Sequence, residues 1–130
     1  LDAVVRNQVY DTFCMVRDQY RVGFIVITHD LLLARKFCER IVVMYCGRVL
    51  ETNAARELFE HPRHPYTQGL IASLPHLGMK PMAGFSPAFT DQPSGCVFHP
   101  RCPYAEARCR HTEPKSIPCG EGSVCCHRYA

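Results

Sequence analysis

Nine cysteines in 130 residues are the first groups able to do chemistry, and six of them fall within the last 35 residues: Cys96, Cys102, Cys109, Cys119, Cys125 and Cys126. A thiolate is a soft ligand that selects zinc or iron–sulfur groups. The odd total, without a basic-then-apolar secretory pattern in the first residues, argues against a disulfide framework. In a reducing compartment such a cluster predicts metal binding. Reduced, unliganded thiols are the plain alternative. Cys14, Cys38 and Cys46 lie instead in apolar segments, where a thiol serves as a small hydrophobe.

His29 is the second candidate. It follows Phe24-Ile25-Val26-Ile27, a continuous apolar run suited to a strand covered on both faces. In open α/β sheets, ligands gather beyond the carboxyl ends of the strands. The imidazole is therefore expected at a ligand crevice, where a neutral ring can accept a hydrogen bond from water or donate one to a phosphate oxygen. The bland reading of Thr28-His29-Asp30 is a polar entry to the next helix.

These groups need elements to position them. Val5, Val9, Phe13, Val16 and Tyr20 recur every three or four residues and mark one face of a helix, with Gly23 ending the region. Leu31 to Cys38 predicts a short helix capped by Asp30 or Thr28. Ile41 to Tyr45 predicts a second strand, Cys46-Gly47-Arg48 a tight turn, and Val49 to Glu51 its returning partner. A helix is expected from about Ala54 to Glu60. His61-Pro62-Arg63-His64-Pro65 forms a rigid turn, and Pro65 suits the opening of a helix over Tyr66 to Leu74. Pro75 to Gly95, rich in Pro, Gly and Met, predicts an ordered but irregular linker. The helix–strand–helix–strand order indicates the α/β class, with too few strands to complete a sheet.

Leu1-Asp2, then Ile27-Thr28-His29-Asp30, then Glu39-Arg40-Ile41-Val42-Val43-Met44-Tyr45-Cys46-Gly47-Arg48 with Glu51, resemble the end of an ABC-transporter nucleotide-binding domain. The resemblance implies that Asp2 is the D-loop aspartate at the dimer interface. It also implies that His29 is the switch histidine contacting the γ-phosphate and the attacking water. Glu39 departs from the family, which generally has Asp before Arg, but keeps the charge. His61-Pro62-Arg63-His64-Pro65-Tyr66-Thr67, with Leu70 and Ser73-Leu74-Pro75, and then Met82-Ala83-Gly84-Phe85-Ser86-Pro87, narrow the resemblance to oligopeptide, dipeptide and nickel importers.

Gly95-Cys96-Val97-Phe98-His99-Pro100-Arg101-Cys102-Pro103, with Cys109 and Cys126-His127, resembles the tail of the same subunits. Some of those hold a four-iron, four-sulfur cluster there. The resemblance implies Cys96, Cys102, Cys109 and Cys126 as ligands, with Cys119 and Cys125 as other candidates for the fourth position. Zinc, recruiting His99 or His127, is the alternative metal. The tail's few hydrophobes, Val97, Phe98, Tyr104 and Ile117, make a metal staple useful for its folding.

The resulting expectation is a partial P-loop NTPase sheet of the ABC type with an irregular Cys-rich tail. Residues 1–60 end the nucleotide-binding domain, 61–92 form the importer-specific extension and linker, and 93–130 form the metal-binding tail. The family hydrolyses ATP with Mg²⁺, beside a second nucleotide-binding subunit and transmembrane permease subunits. Yet the sequence has no Gly-x-x-x-x-Gly-Lys-[Ser/Thr], no Leu-Ser-Gly-Gly-like signature and no apolar strand ending in Asp-Glu. Phosphoryl transfer rests on such groups, so the chain, which opens on Leu1 as a truncated product would, is expected to be inactive alone. A stand-alone Cys-cluster metal module is the competing function. A net charge of +3 with scattered Lys and Arg argues against nucleic acid. No apolar run approaches about 20 residues, which predicts a soluble protein; the resemblance implies one held peripherally at the cytoplasmic face of the membrane.

Overall fold

The computed structural model describes residues 2–130, which form two compact units, one ending at Cys38 and the other spanning Glu39–Ala130. In the first, Asp2 caps helix α1 (Ala3–Tyr20), its carboxylate accepting from the Val4 N–H at 3.0 Å. The helix stops where Arg21 turns left-handed at φ 52°, a conformation that glycine more often supplies. Gly23 is thus not the terminator. Asp30 caps α2 (Leu31–Phe37) by accepting from the Leu33 N–H at 3.0 Å, and its other oxygen pairs with Arg6 at 2.8 Å. Tyr10 stacks on Phe37 with centroids 5.1 Å apart, and Phe13 lies 5.5 Å from Phe24.

The run Phe24–Ile27 is not the expected strand. It has no strand assignment, and Ile25 and Ile27 are 96% and 98% exposed. A strand exists only where a neighbour takes its N–H and C=O groups, and no described strand pairs with this one. The anticipated face of α1 is only partly covered, since that helix has no fully buried residue.

The second unit holds a four-stranded antiparallel sheet in the order β1-β2-β4-β3. Its strands are β1 (Arg40–Tyr45), β2 (Arg48–Ala54), β3 (Ile117–Cys119) and β4 (Gly122–Val124). It is not the parallel P-loop type of sheet. Ile41, Val43 and Tyr45 are buried while Val42 and Met44 are exposed, the period-two pattern of a strand with one covered face. Cys46 and Gly47 both have positive φ, 47° and 77°. That pair is the requirement of a type I′ hairpin turn, and Tyr45 faces Arg48 across it.

β2 extends beyond Glu51 because β1 pairs it to its end, with Ile41 opposite Asn53 and Arg40 opposite Ala54, while β4 joins its other side, with Glu51 opposite Val124 and Thr52 opposite Ser123. The Cys-rich tail is therefore less irregular than expected. It supplies two strands and three 3-10 turns, His99–Arg101, Ala107–Arg110 and His127–Tyr129. The approach of β4 to β2 depends on Gly122, where a Cβ would strike the Thr52 carbonyl and sit 2.8 Å from the Asn53 Cα. Gly122→Ala should accordingly cost about 2 kcal/mol in overpacking, read from urea unfolding followed by circular dichroism. An unchanged midpoint would contradict this pairing.

Helices α3 (Ala55–Glu60) and α4 (Pro65–Ala72) pack beside the sheet, with Leu58 fully buried. Pro65 opens α4 as expected, and His64 caps it, Nδ1 accepting from the Tyr66 N–H at 3.0 Å. Tyr45, Leu50, Cys96, Val97 and Phe98 form a buried cluster, with Tyr66 and Met82 against it. The Phe98 ring lies 5.4 Å from both Tyr45 and Tyr66. Burial of such a ring is worth about 1.5–3 kcal/mol, so the tail is anchored by apolar contacts as well as by strand pairing.

Candidate functional site

Four thiols, those of Cys96, Cys102, Cys109 and Cys126, line one cavity of about 20 Å³ with His64, His99 and His127 on its wall. Short-range geometry brings them together. Gly95 turns at φ 69°, and a Cβ there would collide with the backbone of Cys109 to His111. That close approach lets the Cys96 N–H donate to the Cys109 carbonyl at 2.8 Å. The turn Ala107–Arg110 carries Cys109, whose sulfur accepts from the Glu106 N–H at 3.5 Å.

Backbone donors recur at the other three thiols. The N–H groups of Phe98, Tyr104 and Arg128, each two residues after a cysteine, favour the thiolate forms of Cys96, Cys102 and Cys126. Burial is the stronger influence and holds all three above the ordinary thiol range, with neighbouring thiols adding to it. At Cys126 the Arg128 and Arg108 guanidiniums also oppose it. Burial thus favours the protonated forms of Cys96, Cys102 and Cys126, and metal capture would release protons.

Cys119 and Cys125 lie elsewhere. Cys119 pairs with Gly122 in the β3–β4 hairpin, while Cys125 lines a separate groove of about 260 Å³ and donates its N–H to the Leu50 carbonyl at 2.8 Å. The rings of His99 and His127 are engaged by carbonyls, His99 Nδ1 with Cys96 at 2.9 Å and His127 Nε2 with Thr112 at 2.8 Å.

Among the described residues, no group of three or more His, Cys, Asp or Glu is arranged to hold a single metal ion. A lone zinc needs its donors about 2.3 Å from one centre, so this arrangement does not fit it. An iron–sulfur group spreads its thiolates over several irons. Four thiols on one cavity wall, each met by a backbone N–H and flanked by two guanidiniums, fit that second chemistry.

His64 is a residue that spacing did not single out as part of this site. It is 1% exposed, and burial lowers its pKa to about 4, so the ring is neutral. Because Nδ1 accepts from Tyr66, the proton resides on Nε2, which has no hydrogen-bond partner within the protein. Glu51, fully buried on β2, holds the turn before it: one carboxylate oxygen accepts from the Arg63 N–H and the other from the His64 N–H, both at 2.9 Å. A glutamate in a strand gives no sign in sequence that it will be buried.

The other sequence candidates belong to the first unit. Asp2 and His29 are both exposed. Asp2 serves as the α1 cap, while Thr28 Oγ1 accepts from the Asp30 N–H at 3.0 Å beside His29. Leu1, the other residue of the Leu-Asp pair, lies outside the described residues. No described helix is long and apolar enough to cross a membrane.

Comparison with known proteins gives two findings. Residues 50–109 match the family described as oligopeptide/dipeptide transporter, C-terminal region. Nearly the whole chain is also similar to proteins named dipeptide transport ATP-binding protein DppD. The Haemophilus influenzae protein is 38% identical over 132 residues, covering 98% of this chain and 40% of that protein. The Escherichia coli protein is 39% identical over 119 residues, 88% of this chain and 36% of its own length. The protein of Caldanaerobacter subterraneus is 35% identical over 135 residues, 99% and 41%. The chain thus spans about two fifths of the length of these curated relatives.

Proposed function

Since residues 50–109 belong to the oligopeptide/dipeptide transporter C-terminal region family, and nearly all of the chain aligns with dipeptide transport ATP-binding proteins, we propose that it is the C-terminal part of an ATP-hydrolysing subunit energising peptide import. The observation that carries this reading is the near-complete coverage of the chain. At 98% of the chain, it takes in most of the helical unit as well as the cysteine tail. A stand-alone metal module would have no need of that unit, and nothing in the comparisons supports one.

In this reading the segments that bind ATP and Mg²⁺ come from outside these 130 residues. They would complete a P-loop sheet over Phe24–Ile27, whose exposed isoleucines await a cover. His29, at the end of that run, contacts the γ-phosphate and the attacking water. Asp2 reaches a second nucleotide-binding subunit. The assembly works on transmembrane permease subunits at the cytoplasmic face of the membrane, with a peptide, or alternatively nickel, as its cargo.

The test has two arms. The 130-residue chain alone should neither retain MgATP in equilibrium dialysis nor release phosphate above background. Joined in frame behind the upstream part of the Escherichia coli relative, it should turn over ATP, and His29→Ala in that fusion should lower kcat by about 100-fold or more, the scale set by loss of one transition-state contact. Turnover by the isolated chain, or an active His29→Ala fusion, would contradict the assignment.

The cysteine pocket is proposed as a four-iron, four-sulfur site held by Cys96, Cys102, Cys109 and Cys126. What supports this is the convergence of these four thiols, each met by a backbone N–H, on one cavity from which Cys119 and Cys125 are absent. Such a group would supply a covalent tie between the turns of the tail and, in its reducible form, one-electron chemistry. The chain's own part would be to supply the thiolates and bury their charge. Arg128, stacked 3.9 Å over the Tyr104 ring, and Arg108 offset that charge.

A further inference from the structure

We propose that His64 is the hydrogen-bond donor to the iron–sulfur group of the cysteine pocket, presenting Nε2–H to one of its sulfur atoms and raising its reduction potential. The inference rests on the iron–sulfur reading above.

Three observations meet at this residue. His64 lines the cavity together with the four cysteines. Its Nδ1 is committed as acceptor to the Tyr66 N–H at the start of α4, which leaves the proton on Nε2. Nε2 is buried with no partner in the protein. A buried polar atom without a partner costs about 1–3 kcal/mol, and native structures seldom leave one without a reason.

The orientation of the ring is fixed from three sides. Its own backbone N–H is held by Glu51 at 2.9 Å, the next residue is Pro65, and the ring packs 5.7 Å from Phe98. Among the acceptors on the cavity wall are the sulfur atoms of the four cysteines. A thiol is a poor acceptor, whereas a metal-bound thiolate or a sulfide carries the negative charge that makes the bond strong. A charged, sulfur-rich occupant would give this unpartnered donor a strong acceptor.

Hydrogen bonds to the sulfurs of iron–sulfur groups are among the influences that set their potential. The reduced state carries one more electron, so an N–H donor stabilises it more than the oxidised state. Removing the donor therefore lowers the potential.

The experiment uses the 130-residue chain, loaded anaerobically with ferrous iron and sulfide and titrated with dithionite as the one-electron donor. His64→Asn is the informative variant. Asparagine is a strong helix cap and can still accept from the Tyr66 N–H, but it is too short to replace Nε2. Iron and sulfide contents near four each in both proteins, with a reduced-to-oxidised ratio about tenfold lower in the variant at a fixed applied potential, are the expected result. Tenfold corresponds to about 59 mV for a one-electron couple.

Equal loading with an unchanged ratio would overturn the role of His64 and leave the metal reading standing. An unaltered chain that takes up no iron, or only zinc, would overturn both. Should His64→Asn fail to load, the unaltered chain labelled with ¹⁵N-histidine decides the matter. The dithionite-reduced group should then show hyperfine coupling to one histidine nitrogen and to a proton that exchanges in D₂O. Absence of both couplings would overturn the proposal.

Discussion

Replacing Glu51 by alanine should lower the free energy of unfolding by about 3 kcal/mol or more, the largest effect expected from one polar side chain here. Glu51 is fully buried, and each carboxylate oxygen serves a different backbone donor, those of Arg63 and His64. Bonds with an ionised acceptor are about twice as strong as neutral ones. Their removal strands two N–H groups in a closed turn and leaves an empty volume beside it. The consequence reaches the site, because the same turn starts α4 and sets the His64 ring. Glu51→Gln should cost less, since one oxygen remains to accept while the new amide faces a second donor. Urea unfolding by circular dichroism measures both, and a loss below about 1 kcal/mol for Glu51→Ala would show that the carboxylate does not hold the turn.

Serine at Cys96 or Cys126 should abolish iron loading, with iron and labile sulfide falling at least tenfold. Outer-shell groups alone are worth about 10–100-fold in metal affinity, and a ligand should exceed them. Both residues are buried on the shared cavity. Serine at Cys119 or Cys125 should leave the content unchanged, for one lies in the β3–β4 hairpin and the other on a different groove. The comparison between Cys125 and Cys126 is the sharpest, as the two are adjacent in sequence yet face different cavities. Metal analysis and the visible spectrum after anaerobic loading are the readouts. Equal loss at Cys125 and Cys126 would refute the assignment of ligands.

Much of the local structure was legible beforehand. Asp30 and Pro65 mark helix starts because capping is settled by the first turn alone. The hairpin at Cys46-Gly47 was legible for a similar reason, since two residues of positive φ between apolar runs leave few alternatives. Of the tail's four hydrophobes, Val97 and Phe98 are buried while Tyr104 is exposed, a division their types do not announce. The terminator of α1 likewise fell at Arg21 rather than Gly23, a choice between neighbouring residues that propensity does not resolve.

The failed expectations share one cause. Phe24–Ile27 has the composition of a buried strand, but pairing is a property of two segments, and no described strand pairs with it. The tail's sequence shows no period because β3 and β4 are three residues each, too short for one. They exist because β2 offers an edge for them to join.

Residue type and local order by themselves determined that this protein would carry soft ligands at its C-terminal end, capped helices and a tight hairpin. They also sufficed to align it with transporter subunits. The tertiary structure shows Cys126, and neither Cys125 nor Cys119, lining the cavity of the other three thiols. It alone placed the free edge of His64 among them and closed Glu51 under a turn. The reason is that caps and turns are settled within one turn of chain, whereas the meeting of thiols separated by five to sixteen residues depends on loop closure and on strand pairing elsewhere in the unit.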